Sequence, residues 1–138
     1  MNEKVIDTFC GIIGTMLSFL FGELDGILAT LVVLSCLDYI TGVFNACFKG
    51  ELSSAVGFRG IARKITIFLF VGMAHVIDTN MLGGSALLRD GVIFFYIANE
   101  GVSILENAVG LDLPVPETLK NFLKKVKDKA ENKETEEK

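Results

Sequence analysis

Charged residues are scarce over most of this 138-residue sequence. Of its 30 Asp, Glu, Lys and Arg residues, 13 fall within 117–138, which leaves 17 for residues 1–116. That is about 15% of the longer part, whereas a soluble domain carries about 25% because its surface must stay hydrated. The low charge argues against an ordinary soluble enzyme and favours a small membrane protein with a charged tail.

Catalytic and metal-binding residues are also lacking. The one histidine, His75, lies in an apolar run, and the sequence has no GxSxG, P-loop or HExxH motif. The three cysteines, Cys10, Cys36 and Cys47, form no CxxC pair and lie in apolar runs, which predicts buried small hydrophobes. No basic patch with interleaved aromatic residues is present, which excludes a nucleic-acid partner. We therefore predict no catalytic residue, no metal site and no cofactor.

Four apolar stretches dominate residues 1–111, and they predict a membrane domain. The predicted helices cover about 5–22, 26–48, 61–79 and 88–110. Only the second clearly exceeds the roughly 20 residues that a membrane span needs. Its 11 Leu, Ile, Val and Phe residues contribute about −3 to −7 kcal/mol to insertion, against about +3 kcal/mol for Asp38. No A-x-A-like cleavage site follows the first stretch, so we expect it to remain as a membrane segment.

These stretches predict an all-α, polytopic membrane protein with three to four short transmembrane helices. Lys and Arg cluster within 49–64 and in the tail at 112–138, which predicts that this loop and the C-terminus are cytoplasmic. With four spans both termini lie on that side, whereas three spans would leave the first stretch on the membrane surface. Four spans are favoured.

The tail contains a short basic amphipathic helix, predicted at about 117–129. Apolar residues recur there at helical spacing and are flanked by lysines, a pattern that suits an anionic membrane surface. Docking of this helix on its own protein is the alternative. The lysines are Lys120, Lys124, Lys125 and Lys127.

Polar residues inside the apolar stretches form faces on two predicted helices. The second helix carries Asp38, Thr41 and Asn45 beside the small residues Gly42 and Ala46. A longer stripe on the fourth helix comprises Tyr96, Asn99, Glu100, Ser103, Glu106 and Asn107.

Ionisable residues at membrane depth face a bundle interior or a water-filled cavity. We interpret the stripe as the lining of an aqueous path in an assembly. The alternative is that these residues only join helices, through hydrogen bonds and through ion pairs with Arg59, Arg63, Lys64 or Arg89.

Small residues recur every fourth position on the first predicted helix. Such a ladder lets helix backbones approach closely, within one subunit or between subunits. Its members are Cys10, Gly14, Ser18 and Gly22.

One pattern of segments extends over roughly residues 5–125. It comprises Leu37–Gly42, Leu52-Ser53-Ser54, Gly57–Lys64, Leu88–Gly91, Tyr96–Gly101, Ser103–Asn107 and Pro114-Val115-Pro116. This pattern resembles the phage holin family that includes the toxin-secretion holins. The resemblance is most specific at Asn99–Asn107 together with Pro114-Val115-Pro116.

The resemblance implies a non-enzymatic protein of the bacterial host cytoplasmic membrane. Such a protein forms homo-oligomers in the lipid bilayer and opens lesions that release endolysin or toxin without binding this cargo directly. The resemblance assigns no established pore residues, so the candidate residues rest on the polar stripe. Two alternatives are a small oligomeric membrane channel and a regulator of a holin that makes no lytic hole.

Overall fold

The structure, a computed structural model, describes residues 2–122, 124–125 and 128. Its regular structure over these residues is entirely helical, which confirms the predicted all-α class. Each of the four main helices is long and apolar enough to cross a membrane. They are α1 (Glu3–Phe21), α2 (Gly26–Phe48), α3 (Ser54–Met81) and α4 (Leu87–Gly110).

Side-chain caps fix the starts of α2 and α3. Asp25 Oδ1 accepts a hydrogen bond from the Leu28 amide at 3.0 Å, and Ser53 Oγ accepts one from the Val56 amide at 3.2 Å. The Ser53 cap lets α3 begin at Ser54, although the apolar pattern predicts a start near residue 61. Residues 54–60, expected in a basic loop, therefore extend the helix beyond its apolar stretch.

A residue of α3 caps the start of α4. Ala86, the residue before α4, has a left-handed backbone and makes no side-chain cap hydrogen bond. The Asp78 carboxylate instead accepts hydrogen bonds from the amides of Leu88 at 3.1 Å and Arg89 at 2.8 Å. Asp78 is 1% exposed, so this contact holds the α3–α4 turn closed.

The apolar core lies between α2, α3 and α4. Its buried members are Leu28 and Leu31 from α2, Ile67 and Val71 from α3, and Ile93 from α4. Four of these five residues lie nearer to the α1–α2 and α3–α4 turns than to the α2–α3 loop, and Ile67 lies midway along α3. In the other half of the bundle, toward the α2–α3 loop, polar contacts hold the helices together.

Helix α1 lies at the edge of the bundle and has no buried residue. It packs on α3 through its last turn, where the Phe21 and Phe68 rings meet edge to face with centroids 6.4 Å apart. Large apolar side chains remain exposed on all four helices, as expected for surfaces that face lipid.

The three cysteines are also exposed. The expected burial of Cys10, Cys36 and Cys47 was therefore wrong. Each lies on a helix surface that turns away from the bundle, where an apolar side chain suits lipid as well as a protein core.

Replacing Asp78 with Ala should destabilise the bundle. Asp78→Ala leaves the amides of Leu88 and Arg89 without an acceptor, so we expect a loss of about 2 kcal/mol in the free energy of unfolding. Unfolding by SDS in detergent micelles, followed by circular dichroism, measures it. The control Asn80→Ala changes an exposed side chain at the same helix end and should cost less than about 0.5 kcal/mol. Equal stability of the two variants would contradict the capping role.

Candidate functional site

One buried lysine joins three helices. The Lys64 ammonium of α3 forms ion pairs with Asp38 Oδ2 of α2 and with Glu100 Oε2 of α4. The three side chains are 13%, 10% and 5% exposed, respectively. A single cation therefore compensates two carboxylates inside the bundle and sets the relative positions of α2, α3 and α4.

Asn107 completes the contacts of Asp38. Its amide nitrogen donates to Asp38 Oδ1 at 3.1 Å and lies 3.0 Å from the Thr41 hydroxyl oxygen. The Thr41 hydroxyl in turn donates to the Asp38 backbone carbonyl at 3.1 Å. Both Asp38 carboxylate oxygens thus have donors, one from α3 and one from α4. We call Asp38, Thr41, Lys64, Glu100 and Asn107 the polar network.

The polar network lies deep within the spans. At 1.5 Å per residue, Asp38 is about 18 Å along α2 from Gly26, and Glu100 is about 20 Å along α4 from Leu87. Lys64 is about 21 Å along α3 from Asp78, so the three levels agree. A hydrocarbon core is about 30 Å thick, which places the network inside it and nearer to the α2–α3 loop. Two carboxylates and one ammonium give the network a formal charge of −1.

Burial of such a network is stable only while its members remain paired. Desolvation of each ion costs several kcal/mol, and mutual attraction with further hydrogen bonds offsets that cost. Of the four basic residues that the sequence offers as partners, the structure selects Lys64. In the single chain, the members of the polar network therefore join helices.

A cleft of about 220 Å³ adjoins the polar network. It lies between α2, α3 and α4 on the side of the α2–α3 loop, and Asp38, Lys64 and Asn107 contribute to its lining. The Tyr39 ring reaches α3 because position 60 is glycine: a Cβ there would lie 3.0 Å from that ring. The remaining lining includes Val43, Val56, Arg59, Arg63 and Ser103.

The other predicted polar residues differ in their surroundings. Tyr96 stacks on Phe70 with ring centroids 6.3 Å apart. Asn99 is half-buried, and Asn45 lies half-buried beside Gly110. Glu106 is exposed on α4 and forms no ion pair with any other residue that the structure describes. The stripe is therefore divided between a buried part and an outward-facing part.

The predicted packing residues divide in the same way. Cys10, Gly14 and Ser18 are exposed, and no atom lies within 4 Å of the position that a Cβ would take on Gly14. Gly42 lies near the Asn107 amide, and Ala46 is half-buried. Gly22 ends α1 with a positive φ of 76° and is close to His75 and Arg89.

Arg89 forms a second buried cluster, which the sequence did not predict. Its guanidinium donates to the carbonyl oxygens of Phe21 at 2.7 Å and Glu23 at 2.9 Å. It also pairs with Asp25 at 2.8 Å and Asp90 at 3.0 Å. Arg89 is 4% exposed and ties the α1–α2 turn to the start of α4. The available signal was its isolation, since it is the only Lys or Arg between Lys64 and Lys120, with acidic residues in the α1–α2 turn and in the first turn of α4.

The hydrogen bond from Arg89 lowers the pKa of the Asp25 carboxyl below its ordinary value of 3.8. The charge of Arg89 and the Leu28 amide act in the same direction, while partial burial opposes them. Since the pKa of Asp25 is lower in the folded chain than in the unfolded chain, the contact contributes fully to the free energy of unfolding at any pH above the unfolded pKa. It is lost only as the pH falls through the lowered value.

Neither cluster resembles a metal centre: no group of three His, Cys, Asp or Glu in the described part of the chain is placed to hold an ion.

Comparison with known proteins assigns the chain to a family. The model of the bacteriophage holin family matches residues 15–128, most of the sequence. The chain belongs to the bacteriophage holin family. The resemblance seen in the sequence is thereby confirmed, and membership in the holin family implies a non-enzymatic membrane protein.

Individual relatives agree with the holin family. A probable holin of Bacillus phage phi105 is 40% identical over 107 residues, which cover 77% of each chain. The uncharacterized protein Lmo0128 of Listeria monocytogenes is 49% identical over 110 residues, 80% of this chain and 78% of the relative. An uncharacterized 14.9 kDa protein of Clostridium perfringens is 42% identical over 117 residues, 85% of this chain and 89% of the relative. No solved structure matches.

The tail of this holin-family chain is helical beyond Pro116 where the structure describes it. Residues 117–122 form a helix in which Lys120 pairs with Glu117 at 2.9 Å. Lys124 and Lys125 are helical and exposed. Lys127, the fourth predicted surface lysine, lies outside the described residues.

Removing the central cation should destabilise the bundle strongly. Lys64→Met leaves Asp38 and Glu100 buried without a counter-charge, and we expect a loss of about 3 kcal/mol in the free energy of unfolding in detergent. The control Arg63→Met alters the neighbouring, exposed basic residue and should cost less than about 0.5 kcal/mol.

A triple variant separates charge from packing. Asp38→Asn, Glu100→Gln and Lys64→Met together remove every charge of the network, so stability should recover by more than half of the Lys64→Met loss. Wild-type stability of Lys64→Met alone would contradict the central role of the ion pairs.

Proposed function

We propose that this protein is a holin that forms homo-oligomers in the bacterial cytoplasmic membrane and opens lesions there. The observation that carries the proposal is the polar network, a set of charges buried at membrane depth in a chain of the holin family. The lesions release endolysin or toxin for lysis or secretion. The cargo passes through without direct binding, and no enzymatic step or cofactor takes part.

Helix α1 supports the formation of oligomers. It contributes no buried residue to its own bundle, and Cys10, Gly14 and Ser18 face away from the other helices. A ladder whose first three members are exposed in the described part of the chain is suited to close packing with a second copy. We infer that α1 helps to join copies in the membrane.

The polar network supports the opening step. In one chain, Lys64 compensates Asp38 and Glu100, so the charges are tolerated within the hydrocarbon. When helices rearrange in a large assembly, hydration can replace these contacts. The polar faces of α2 and α4, including Asn45, Tyr96, Asn99, Ser103 and Glu106, then line water, and the apolar faces remain against lipid.

The positions of the Lys and Arg residues support a cytoplasmic C-terminus. Lys49, Arg59 and Arg63 lie toward the end of the bundle that carries the α2–α3 loop, and the C-terminal tail leaves from that same end. By the positive-inside rule this end is cytoplasmic. The basic tail helix then lies where anionic headgroups of the inner leaflet can attract it.

Neutralising Glu100 should delay or abolish lysis. Glu100→Gln leaves a neutral Asp38–Lys64 pair, which is cheaper to keep buried and gains less from hydration, so the closed form is favoured. The test expresses the protein in a bacterium together with an endolysin, and follows turbidity and release of a cytosolic enzyme. Glu106→Gln examines the exposed part of the stripe in the same assay, and it should also shift the time of lysis if that part lines water.

The matched control is Glu51→Gln, the same change in the exposed α2–α3 loop, which should leave the time of lysis unchanged. Wild-type timing of Glu100→Gln would contradict the proposed opening step. Expression of the wild-type chain alone separates the alternatives. Sudden loss of membrane integrity with release of the enzyme supports a holin, selective ion leakage supports a channel, and no effect supports a regulator.

A further inference from the structure

The cleft beside the polar network contains two arginines whose charges are not used elsewhere in the structure. Arg59 and Arg63 line the cleft from α3, and both are exposed. Neither forms a hydrogen bond or an ion pair with another described residue. In contrast, every other basic side chain within the described part of α3 and α4, Lys64 and Arg89, is fully engaged.

The charges around the cleft leave a positive excess. Lys64 is compensated by Asp38 and Glu100, and the three together carry a formal charge of −1. Arg59 and Arg63 raise the sum to +1. They are four residues apart on one helix face, about 6 Å along the axis, so two guanidinium groups border the same opening. A guanidinium presents paired donors that match the oxygens of a phosphate group.

The depth of the two arginines corresponds to the level of lipid headgroups. Along α3 from Asp78, Arg63 lies about 22 Å away and Arg59 about 28 Å away. Since the hydrocarbon core is about 30 Å thick, Arg59 lies at its boundary, and the long Arg63 side chain can reach the boundary. A phosphate group bound there would be at the level that phospholipid phosphates occupy.

The remaining lining favours a lipid over a free ion. Val43, Val56 and the Tyr39 ring give the cleft apolar walls between three helices whose outer surfaces are themselves apolar. Such walls suit the glycerol and first methylene groups of a lipid, whereas they offer a free anion nothing. Basic pockets between membrane helices bind anionic headgroups in this way.

We propose that the cleft between α2, α3 and α4 binds the phosphodiester headgroup of an anionic phospholipid through Arg59 and Arg63. The lipid belongs to the leaflet on the side of the α2–α3 loop. Bound there, it occupies the open side of the polar network and links the network to the membrane surface. This binding does not depend on whether the protein opens a lesion.

Native mass spectrometry of the purified, delipidated full-length chain tests the site. Phosphatidylglycerol should bind as one lipid per chain and more tightly than zwitterionic phosphatidylcholine. Arg59→Gln with Arg63→Gln should weaken phosphatidylglycerol binding about tenfold, because two charge-assisted contacts are lost. Both residues are exposed and their side chains have no partner in the described part of the chain, so the double variant should fold normally.

Two further variants separate the cleft from general electrostatics. Lys4→Gln with Lys49→Gln removes the same charge at two exposed positions outside the cleft and should retain wild-type affinity. Val43→Phe fills the cleft without changing charge and should weaken binding as the arginine variant does.

An excess of inorganic phosphate tests whether the cleft binds a lipid headgroup or a free anion. If the site is specific for the lipid, inorganic phosphate should fail to displace phosphatidylglycerol. Full displacement would overturn the proposal in favour of a site for soluble anions. Wild-type affinity of the double arginine variant, or an equal loss in the Lys4 and Lys49 variant, would also overturn it.

Discussion

The desolvation of charge inside the membrane is the constraint on which this structure depends. Asp38 and Glu100 lie well inside the spans, where an isolated carboxylate is costly, and Lys64 compensates both. Because the three residues come from different helices, satisfying them fixes the register of α2, α3 and α4. Asn107 strengthens this arrangement by donating to Asp38 from a second position on α4. Loss of the central cation therefore affects the whole bundle.

The two ends of the bundle are held by different means. Near the α1–α2 and α3–α4 turns, the apolar core, the Asp78 cap and the Arg89 cluster fix the chain tightly. Toward the α2–α3 loop, polar contacts and a cleft replace the apolar core. Helix α1 adds little to either end beyond its last turn. This division places the elements that can rearrange, the polar network and the outer face of α1, apart from those that hold the turns.

Local patterns in the sequence predicted the helices but not their partners. Apolar runs separated by charges gave four spans, and helical spacing placed Asp38, Glu100 and Asn107 on polar faces. Lys64 was one of four possible partners, because spacing fixes a face of one helix but not its register against another. The start of α3 was placed too late because its first turns carry Arg59 and Gly60 and lack an apolar run. The cap that Asp78 provides to α4 and the buried contacts of Arg89 arise only when distant turns meet.

The most direct test of the account is whether the polar face of the bundle meets water when the membrane opens. In a chain whose Cys10, Cys36 and Cys47 are replaced by Ala, Thr41→Cys places one thiol within the network. Val33→Cys places one on an exposed, lipid-facing part of the same helix. A charged, membrane-impermeant maleimide should label position 41 much faster after lysis begins than before it, while position 33 stays unlabelled. Equal labelling of position 41 before and after the onset of lysis would contradict the account.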